Sequence, residues 1–391
     1  MSIEGNNQQQ LGRRLRLGMV GGGQGAFIGG VHRIAARLDD RYELVAGALS
    51  SAPERAAESA RELGLPQDRS YASYSEMAQA ESQREDGIDL VSIVTPNHMH
   101  YPVAREFLNH GIDVICDKPI TTTVEDAESL AALVEQKDRI FCLTHNYTGY
   151  PMVRQARVMV ADGELGKIRV VQVEYPQDWL STKLEDTGQK QAEWRTDPKR
   201  AGAGGCIGDI GTHAFNLAGF ISGLKLESLA ADLTTFVEGR ALDDHVQILL
   251  RYEGGARGIL WSSQVAPGNE NALRIRIYGE KGGLEWAQED PNTLLHSPLG
   301  EAPRRITRGG NGSNEVAGAV TRIPPGHPEG YLEGFANLYS DVAEVLTARL
   351  ENRQPDPLCT GFPTAHDGVT GMRFISAAVD SSQRNSAWVS L

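Results

Sequence analysis

Apolar positions along the chain follow two different rules, and the change comes near residue 143. Before it, short unbroken apolar runs alternate with segments of helical period. Leu15–Val20 (LRLGMV), Tyr42–Leu49 (YELVAGAL), Ile88–Val94 (IDLVSIV), Val114–Cys116 and Ile140–Leu143 read as strands. Val31–Leu38, Pro53–Leu63, Val103–Asn109 and Val124–Gln136 read as the helices between them. Pro53 suits a first helical turn, where its missing N–H has no intrahelical partner. Strands and helices alternating at this spacing predict βαβ units around a parallel sheet.

Beyond that point the strands lengthen and partly alternate: Ile168–Tyr175, His245–Tyr252, Gly258–Gln264 and Leu273–Tyr278. Alternation predicts an antiparallel sheet with one covered and one open face. Two helical segments, Val153–Asp162 and His213–Ile221, are expected on the covered face, and Leu332–Arg349 is a further long amphipathic helix. Gln288–Pro325, rich in Gly, Pro, Arg and Asn, reads as a long loop region of the kind that is functional or disordered. The predicted organisation is a polar tail over residues 1–14, a doubly wound dinucleotide-binding domain over 15–143, and an α/β domain over 144–391 for substrate and self-association.

Composition changes this picture little. A chain of 391 residues exceeds what one core comfortably fills, which again gives two domains. A formal net charge of −13 opposes binding to nucleic acid or anionic lipid. No apolar run approaches the roughly 18 residues of a membrane span. The polar start, Met1–Gln10, lacks the apolar stretch of a secretory signal, so a cytoplasmic protein is expected. Cys116, Cys142, Cys206 and Cys359 form no close pairs and read as reduced structural thiols, with no metal site expected.

Candidate chemistry begins at Gly21-Gly22-Gly23-Gln24-Gly25-Ala26, directly after the first strand. Such a loop turns tightly and presents backbone amides to a pyrophosphate at a helix N-terminus. Gly21 and Gly23 fit the first two fingerprint positions. The third falls either on Ala26 or, as preferred here, on Gly29, with three extra residues (Ala26, Phe27, Ile28) in the loop and the helix starting after Gly30. At the end of the second strand an acid would select NAD. Ser50-Ser51 stands there instead, and Arg55 is either a partner for a 2′-phosphate or a solvated helix residue. NAD and NADP both stay open.

Asp117-Lys118-Pro119 follows the strand Val114–Cys116, at the strand end where open α/β sheets bind ligands. Lys118 is either a surface lysine or a cation that favours a developing alkoxide. Asp209 and His213, in Gly208-Asp209-Ile210-Gly211-Thr212-His213, are four apart. On a helical turn they share a face, either as a plain capping pair or as an oriented general base.

Together Gly21–His32 (GGGQGAFIGGVH), Thr95-Pro96-Asn97-His98-Met99-His100, Asp117-Lys118-Pro119 and Gly208–His213 occur in the order and approximate spacing of one family. The chain resembles the glucose–fructose oxidoreductase, inositol dehydrogenase and MocA family over nearly its whole length. That resemblance implies a Rossmann domain followed by an α/β domain with an open, mostly antiparallel sheet. It implies that Lys118 touches substrate and nicotinamide, that His213 is the acid/base, and that Asp209 positions substrate or histidine. It also implies that Thr95, Pro96, Asn97 and His100 line the dinucleotide. Two departures stand out: Asp117 replaces the usual glutamate, and the glycine loop is longer.

Substrate contacts are sought at Tyr147, Trp179, Arg195 and His327, each of which has an ordinary structural alternative as core packing or exposed loop. The expected reaction moves a hydride between NAD(P) and a secondary hydroxyl carbon of a sugar, cyclitol or glycoside. Two alternatives are glycosidic cleavage through transient oxidation and a non-catalytic dinucleotide sensor. The open sheet face and the family resemblance point to a homodimer or homotetramer.

Overall fold

Short aliphatic runs without polar alternation can bury both faces, and in the computed structural model, which describes residues 11–391, they do. In chain order the first region gives β1 (Leu15–Gly21), α1 (Phe27–Leu38), β2 (Tyr42–Ala48), α2 (Pro53–Glu62), α3 (Tyr74–Ser82), β3 (Leu90–Val94), α4 (His100–Asn109), β4 (Asp113–Cys116), α5 (Val124–Lys137) and β5 (Phe141–Leu143). All five residues of β3 are buried. The strands form a parallel sheet in the order β2-β1-β3-β4-β5.

Two boundaries differ from expectation. Helix α1 begins at Phe27, not after Gly30, so Gly29 and Gly30 lie inside its first turns. Helix α4 begins at His100 rather than Val103. Helix α3 was not anticipated, although its start carries the Ser-x-x-Glu capping sequence: Ser73 Oγ accepts from Glu76 N at 3.1 Å, and Glu76 Oε2 accepts from Ala72 N, just before the cap, at 3.3 Å.

The second region contains α6 (Pro151–Ala161), β6 (Ile168–Pro176), α7 (Lys190–Arg195), α8 (Pro198–Ala201), α9 (Thr212–Ser222), β7 (Leu226–Thr234), β8 (His245–Tyr252), β9 (Arg257–Ser263), β10 (Arg274–Gly279), β11 (Gly282–Ala287), β12 (Thr293–Pro298), β13 (Arg304–Thr307), α10 (Glu315–Ala319), α11 (Tyr331–Leu350), α12 (Ala365–Gln383) and β14 (Val389–Ser390). Its sheet has the order β13-β12-β11-β10-β6-β9-β8-β7-β14. Every pairing is antiparallel except β6 with β9. Helices α6 and α9 lie against this sheet, and α12 joins α9 through Phe374 stacked on Phe215 at 4.1 Å. Alternate residues such as Leu249, Ile259 and Tyr278 stay exposed.

The expected loop over Gln288–Pro325 instead contains three regular elements. It holds β12, β13 and α10, and the pairing of β11 with β12 buries Leu294 while Leu295 faces out. Interspersed Gly, Pro and Arg hid that alternation. Strand β7 was also missed, because Leu-Glu-Ser-Leu-Ala-Ala lacks β-branched residues and is a strand by virtue of its partner β8.

The chain divides into two compact units. The first comprises residues up to Thr121, Glu125–Gly149 and Tyr331–Val369. Helix α11 therefore belongs with the parallel sheet, which corrects its expected place in the second domain. The reason is packing. Phe335, Leu338, Tyr339, Val342 and Leu346 of α11 share one core with Leu15 and Leu17 of β1, Leu90 of β3 and Val31 and Ala35 of α1. Each such large side chain, fully buried, contributes about 1.5–3 kcal/mol. The second unit holds Thr122–Val124, Tyr150–Gly330 and Thr370–Leu391.

Residues 1–10 of the expected tail lie outside the described residues, and its remaining part is anchored. Arg13 donates to both Asp89 carboxylate oxygens at 2.6 and 2.9 Å, and Arg14 pairs with Asp40 at 2.6 Å. Among the described residues no helix is long and apolar enough to cross a membrane.

Candidate active site

In the first unit the site starts where β1 ends. Gly21 and Gly22 take φ of +77° and +71°, a backbone that a side chain would strain. At Gly29 a Cβ would stand 2.4 Å from both Cα and O of Gly22, so the turn and the helix meet only because neither carries a side chain there. That close helix-to-turn packing is the task of the third fingerprint glycine. Arg33, unremarked in the sequence, closes the turn from below by donating to Gly22 O at 2.6 Å. Ser59 Oγ accepts from Gln24 N at 3.1 Å and ties the loop to α2. A groove of about 580 Å³ runs beside the loop, lined by Gly25, Phe27, Arg33, Ser59 and Glu62 among others.

The start of α1 has no side-chain cap at Ala26 and no acid in its first turn. Its leading N–H groups and dipole thus meet no anion from its own cap or first turn. Nearby in sequence order, at the end of β3, Thr95 Oγ1 is buried with no hydrogen-bond partner among the described residues. An acid-poor helix start, a turn that a Cβ would fill and an unmet buried hydroxyl fit a dinucleotide. Ser50 lies just past β2, where its Oγ accepts from Ala52 N at 3.1 Å, and Ser51 and Arg55 are exposed. Phe27 is 69% exposed, whereas Ile28 packs into the core below the loop.

Pro96 and Asn97 lead into a 3₁₀ turn, Asn97–Met99. The next side chain, His100, is buried against backbone: Nδ1 lies 2.6 Å from Pro119 O and Nε2 2.9 Å from Thr95 O. Its ring clasps the loop after β3 to the loop after β4, so its nitrogens face carbonyls rather than a ligand. Burial lowers its pKa, with the two carbonyls and Asp117 opposing.

Asp117 N donates to Ile93 O at 3.0 Å, and its carboxylate accepts from Thr144 Oγ1 at 2.8 Å. Lys118, joined to Pro119 by a cis peptide bond, is half-buried. His145 is fully buried, and burial together with the charge of Lys118 brings its pKa down to about 3. Tyr147 is buried in the turn Asn146–Gly149.

The second unit carries the other expected pair. Asp209 does not sit on a regular α-turn: Ile207–Gly211 is a π-turn in which Thr212 N bonds Ile207 O five residues back. Such turns recur at functional sites. Asp243 builds its entrance. The Asp243 carboxylate accepts from Gly205 N at 2.7 Å and Ile207 N at 2.8 Å, and burial raises its pKa to about 6. Asp209 Oδ2 accepts from Gln264 Nε2 at 2.9 Å and faces Arg195 Nε at 3.3 Å. Arg195 also lies over the Trp194 ring, 4.3 Å from its centroid. His213 is buried in the first turn of α9, its ring edge-on to Tyr175 at 6.4 Å. Tyr175 and Gln177 both donate to Asn271 Oδ1, at 2.8 and 2.6 Å.

Of the expected substrate residues in this unit, Arg195 is thus brought to Asp209. Trp179 is half-buried just past β6. His327 is exposed at the tip of a proline loop whose carbonyls, including its own, are held by the buried Arg308. Sequence reasoning missed Gln264, Asp243, Arg33 and Thr144. Only Asp243-Asp244, two acids before an apolar strand, was a visible signal.

Comparison with known proteins adds the following. Residues 15–145 match the model of an oxidoreductase family with an NAD-binding Rossmann fold, and residues 153–285 match the GFO/IDH/MocA C-terminal domain. An oxidoreductase from Sinorhizobium meliloti of known crystal structure is 55% identical, with a TM-score of 0.88 over 96% of this chain and 99% of that one. An inositol dehydrogenase homologue from Azotobacter vinelandii, solved with NADH and myo-inositol, is 36% identical, with a TM-score of 0.89 over 97% and 98%. A levoglucosan dehydrogenase from Pseudarthrobacter phenanthrenivorans is 27% identical over 72% of this chain and 76% of its own.

Proposed function

The chain belongs to the GFO/IDH/MocA family of NAD-binding oxidoreductases, and from that premise we propose that it is a dehydrogenase acting on a secondary hydroxyl of a polyhydroxylated ring, a cyclitol or a sugar. The observation that carries this reading is the surrounding of Asp209, whose carboxylate accepts from Gln264 and is ion-paired with Arg195 next to the turn that leads to a buried histidine. Polar groups so arranged suit a ligand with adjacent hydroxyls. The relatives solved or named with myo-inositol and levoglucosan support the same class.

NAD or NADP would be held by the glycine turn, the start of α1 and Thr95, and would supply the hydride acceptor. Lys118 hydrogen-bonds the reacting hydroxyl and stabilises its alkoxide character. His213 takes the proton at its imidazole and returns it in the reverse direction. Asp209, fixed by Gln264 and Arg195, holds a neighbouring hydroxyl. Arg55 is assigned to the 2′-phosphate when NADP is used. The exposed aliphatic face of the second sheet supports self-association as a dimer or tetramer, and a cytoplasmic setting suits the scattered free cysteines.

The test is reduced-nicotinamide absorbance with inositols, aldoses and glycosides, run with NAD⁺ and NADP⁺ in parallel. Signal growth with one polyol class is expected. Silence throughout, with NADH still binding, rejects net dehydrogenation and favours cleavage through transient oxidation.

A further inference from the structure

Within the first unit, behind Asp117, lies a fully buried polar cluster that the proposed chemistry does not use. His32, on α1, places Nδ1 2.9 Å from Tyr339 Oη and 3.2 Å from Ser92 Oγ, and the two hydroxyls are 2.9 Å apart. Ser92 is the one polar residue of β3, and Tyr339 comes from α11, more than three hundred residues later than His32 along the chain in its bond to the ring. On the other side of the imidazole, Nε2 has no hydrogen-bond partner among the described residues and faces Asp117 Oδ1 at 4.0 Å. Phe335 and Tyr339 enclose the ring at 5.1 and 5.8 Å.

The carboxylate beside Nε2 decides which nitrogen carries the proton. The two hydroxyls bring one hydrogen each. With Nδ1 as acceptor, Tyr339 donates to His32 and Ser92 donates to Tyr339, and the Nε2–H alone lacks a bonded acceptor. Placing the proton on Nδ1 instead leaves one hydroxyl hydrogen in this triangle without an acceptor, so the count is even. It also turns the Nε2 lone pair toward a carboxylate, whereas the other tautomer turns a hydrogen toward it. That repulsion is expensive where no water competes. We propose that His32 is fixed as the Nε2–H tautomer by the Asp117 carboxylate facing Nε2 and the Tyr339–Ser92 hydroxyl pair at Nδ1, and serves as a positioning residue for Asp117 and the adjoining Lys118. At 4.0 Å the influence is that of an oriented dipole on a carboxylate, too long for a hydrogen bond.

The charged groups facing His32 are Asp117 at the end of β4 and Arg33 on its own helix, while β3 and α11 offer neutral hydroxyls. Burial outweighs the attraction of Asp117 and brings the imidazole pKa down to about 4, which keeps the ring neutral across the working range. In this way α11 reaches the loop that carries Lys118, although the sequence separates them by some two hundred residues in the numbering.

The catalytic part of the proposal rests on the dehydrogenase reading, and the tautomer does not. Imidazole ¹⁵N spectra of ¹⁵N-histidine-labelled full-length protein, with His32 assigned by the signals lost in His32→Gln, read the tautomer directly. The expected result is a protonated Nε2 and a bare Nδ1 that do not titrate between pH 5 and pH 8, an interval lying above the pKa of about 4. Tyr339→Phe removes one oxygen, leaves Ser92 Oγ as the remaining donor to Nδ1 and should shift the Nδ1 signal while Nε2 keeps its proton. It should also lower kcat with NAD⁺ and myo-inositol on the order of tenfold, as for residues that orient a ligand through another side chain, while NADH binding followed by fluorescence stays unchanged. Tyr42→Phe is the control, since Tyr42 Oη donates to Tyr339 O at 2.6 Å in the same core without touching the imidazole. It should lower thermal stability but move neither the ¹⁵N signals nor kcat.

A parent protein with the proton on Nδ1 overturns the proposal. So does a Tyr339→Phe variant whose nitrogen signals and kcat both match the parent, or a Tyr42→Phe variant that loses as much kcat. A parent that shows the Nε2–H signal yet turns over no polyol rejects the dehydrogenase reading and leaves the tautomer standing.

Discussion

The two units each set an acid beside a histidine, and they do it by opposite physical means. In the first, His32 is buried against two hydroxyls, His100 lies between two backbone carbonyls, and burial with the charge of Lys118 lowers the pKa of His145. In the second, Asp209 is met by a guanidinium and an amide, and its turn is built on the carboxylate of Asp243. The first arrangement depends on His32 and His145 staying neutral. The second depends on acids finding donors. Their responses to pH and to substitution should therefore differ.

The largest expected effect lies in the second unit. His213→Ala should reduce kcat by about 10²–10⁴, the usual contribution of a positioned general base, and should flatten the acidic limb of the oxidation pH profile. A limb that keeps its shape would show that the proton goes elsewhere. In the first unit, Lys118→Ala should lower kcat by about 10²–10³, the scale for a lost alkoxide-stabilising donor. NADH binding measured by fluorescence should persist, and its loss would make Lys118 a cofactor residue instead.

The pH contrast comes next in size. His32 and His145 have pKa values of about 4 and about 3, below the 6.5 of an unfolded histidine. Their stabilisation is present above pH 6.5 and is lost as pH falls toward those values. Asp243 has the reverse sign, with a pKa of about 6 against 3.8 unfolded. Its stabilisation is present below pH 3.8 and is lost as pH rises through about 6. Its shift of about two units corresponds to roughly 2–3 kcal/mol. Hydrogen exchange corrected for intrinsic rates should show α1 and β3 losing protection from pH 6.5 to 4 while the π-turn segment gains it. Asp243→Asn should abolish the gain, and parallel responses in the two segments would break the comparison.

The smallest effect concerns cofactor choice. Arg55→Ala should weaken NADP⁺ by no more than about tenfold, or 1.4 kcal/mol, because its side chain is exposed, and should leave NAD⁺ unchanged. Equal losses for both would remove Arg55 from the 2′-phosphate assignment.

Much of this was legible in the amino-acid order. The runs LRLGMV and IDLVSIV can bury both faces and therefore had to be parallel strands; the glycines after β1 and the Asp-Lys-Pro after β4 marked the strand ends that hold the chemistry. Boundaries were less legible: Gly29 suggested a loop but lies in a helix, because its packing against Gly22 needs a missing Cβ more than the helix needs a side chain. Strand β13 was hidden because an edge strand tolerates Arg, β12 because its short run is set among Gly, Pro and Asn, and β7 because its partner, not its residues, makes it extended.

By itself, then, the sequence determined what local order can determine: the alternation of strand and helix, the glycine turn, the placing of Lys118 just after a strand, and the pairing in number of Asp209 with His213. Only the tertiary structure decided that α11 covers the first sheet, that Tyr339 and Ser92 hold His32 toward Asp117, that His100 clasps two loops, and that Asp243 and Gln264 frame the turn bearing Asp209. The reason is physical. Local elements follow from period and turn chemistry within a few residues. A buried polar group, by contrast, is satisfied by whatever donor or acceptor the packing brings within about 3 Å, and that partner can come from anywhere in the chain.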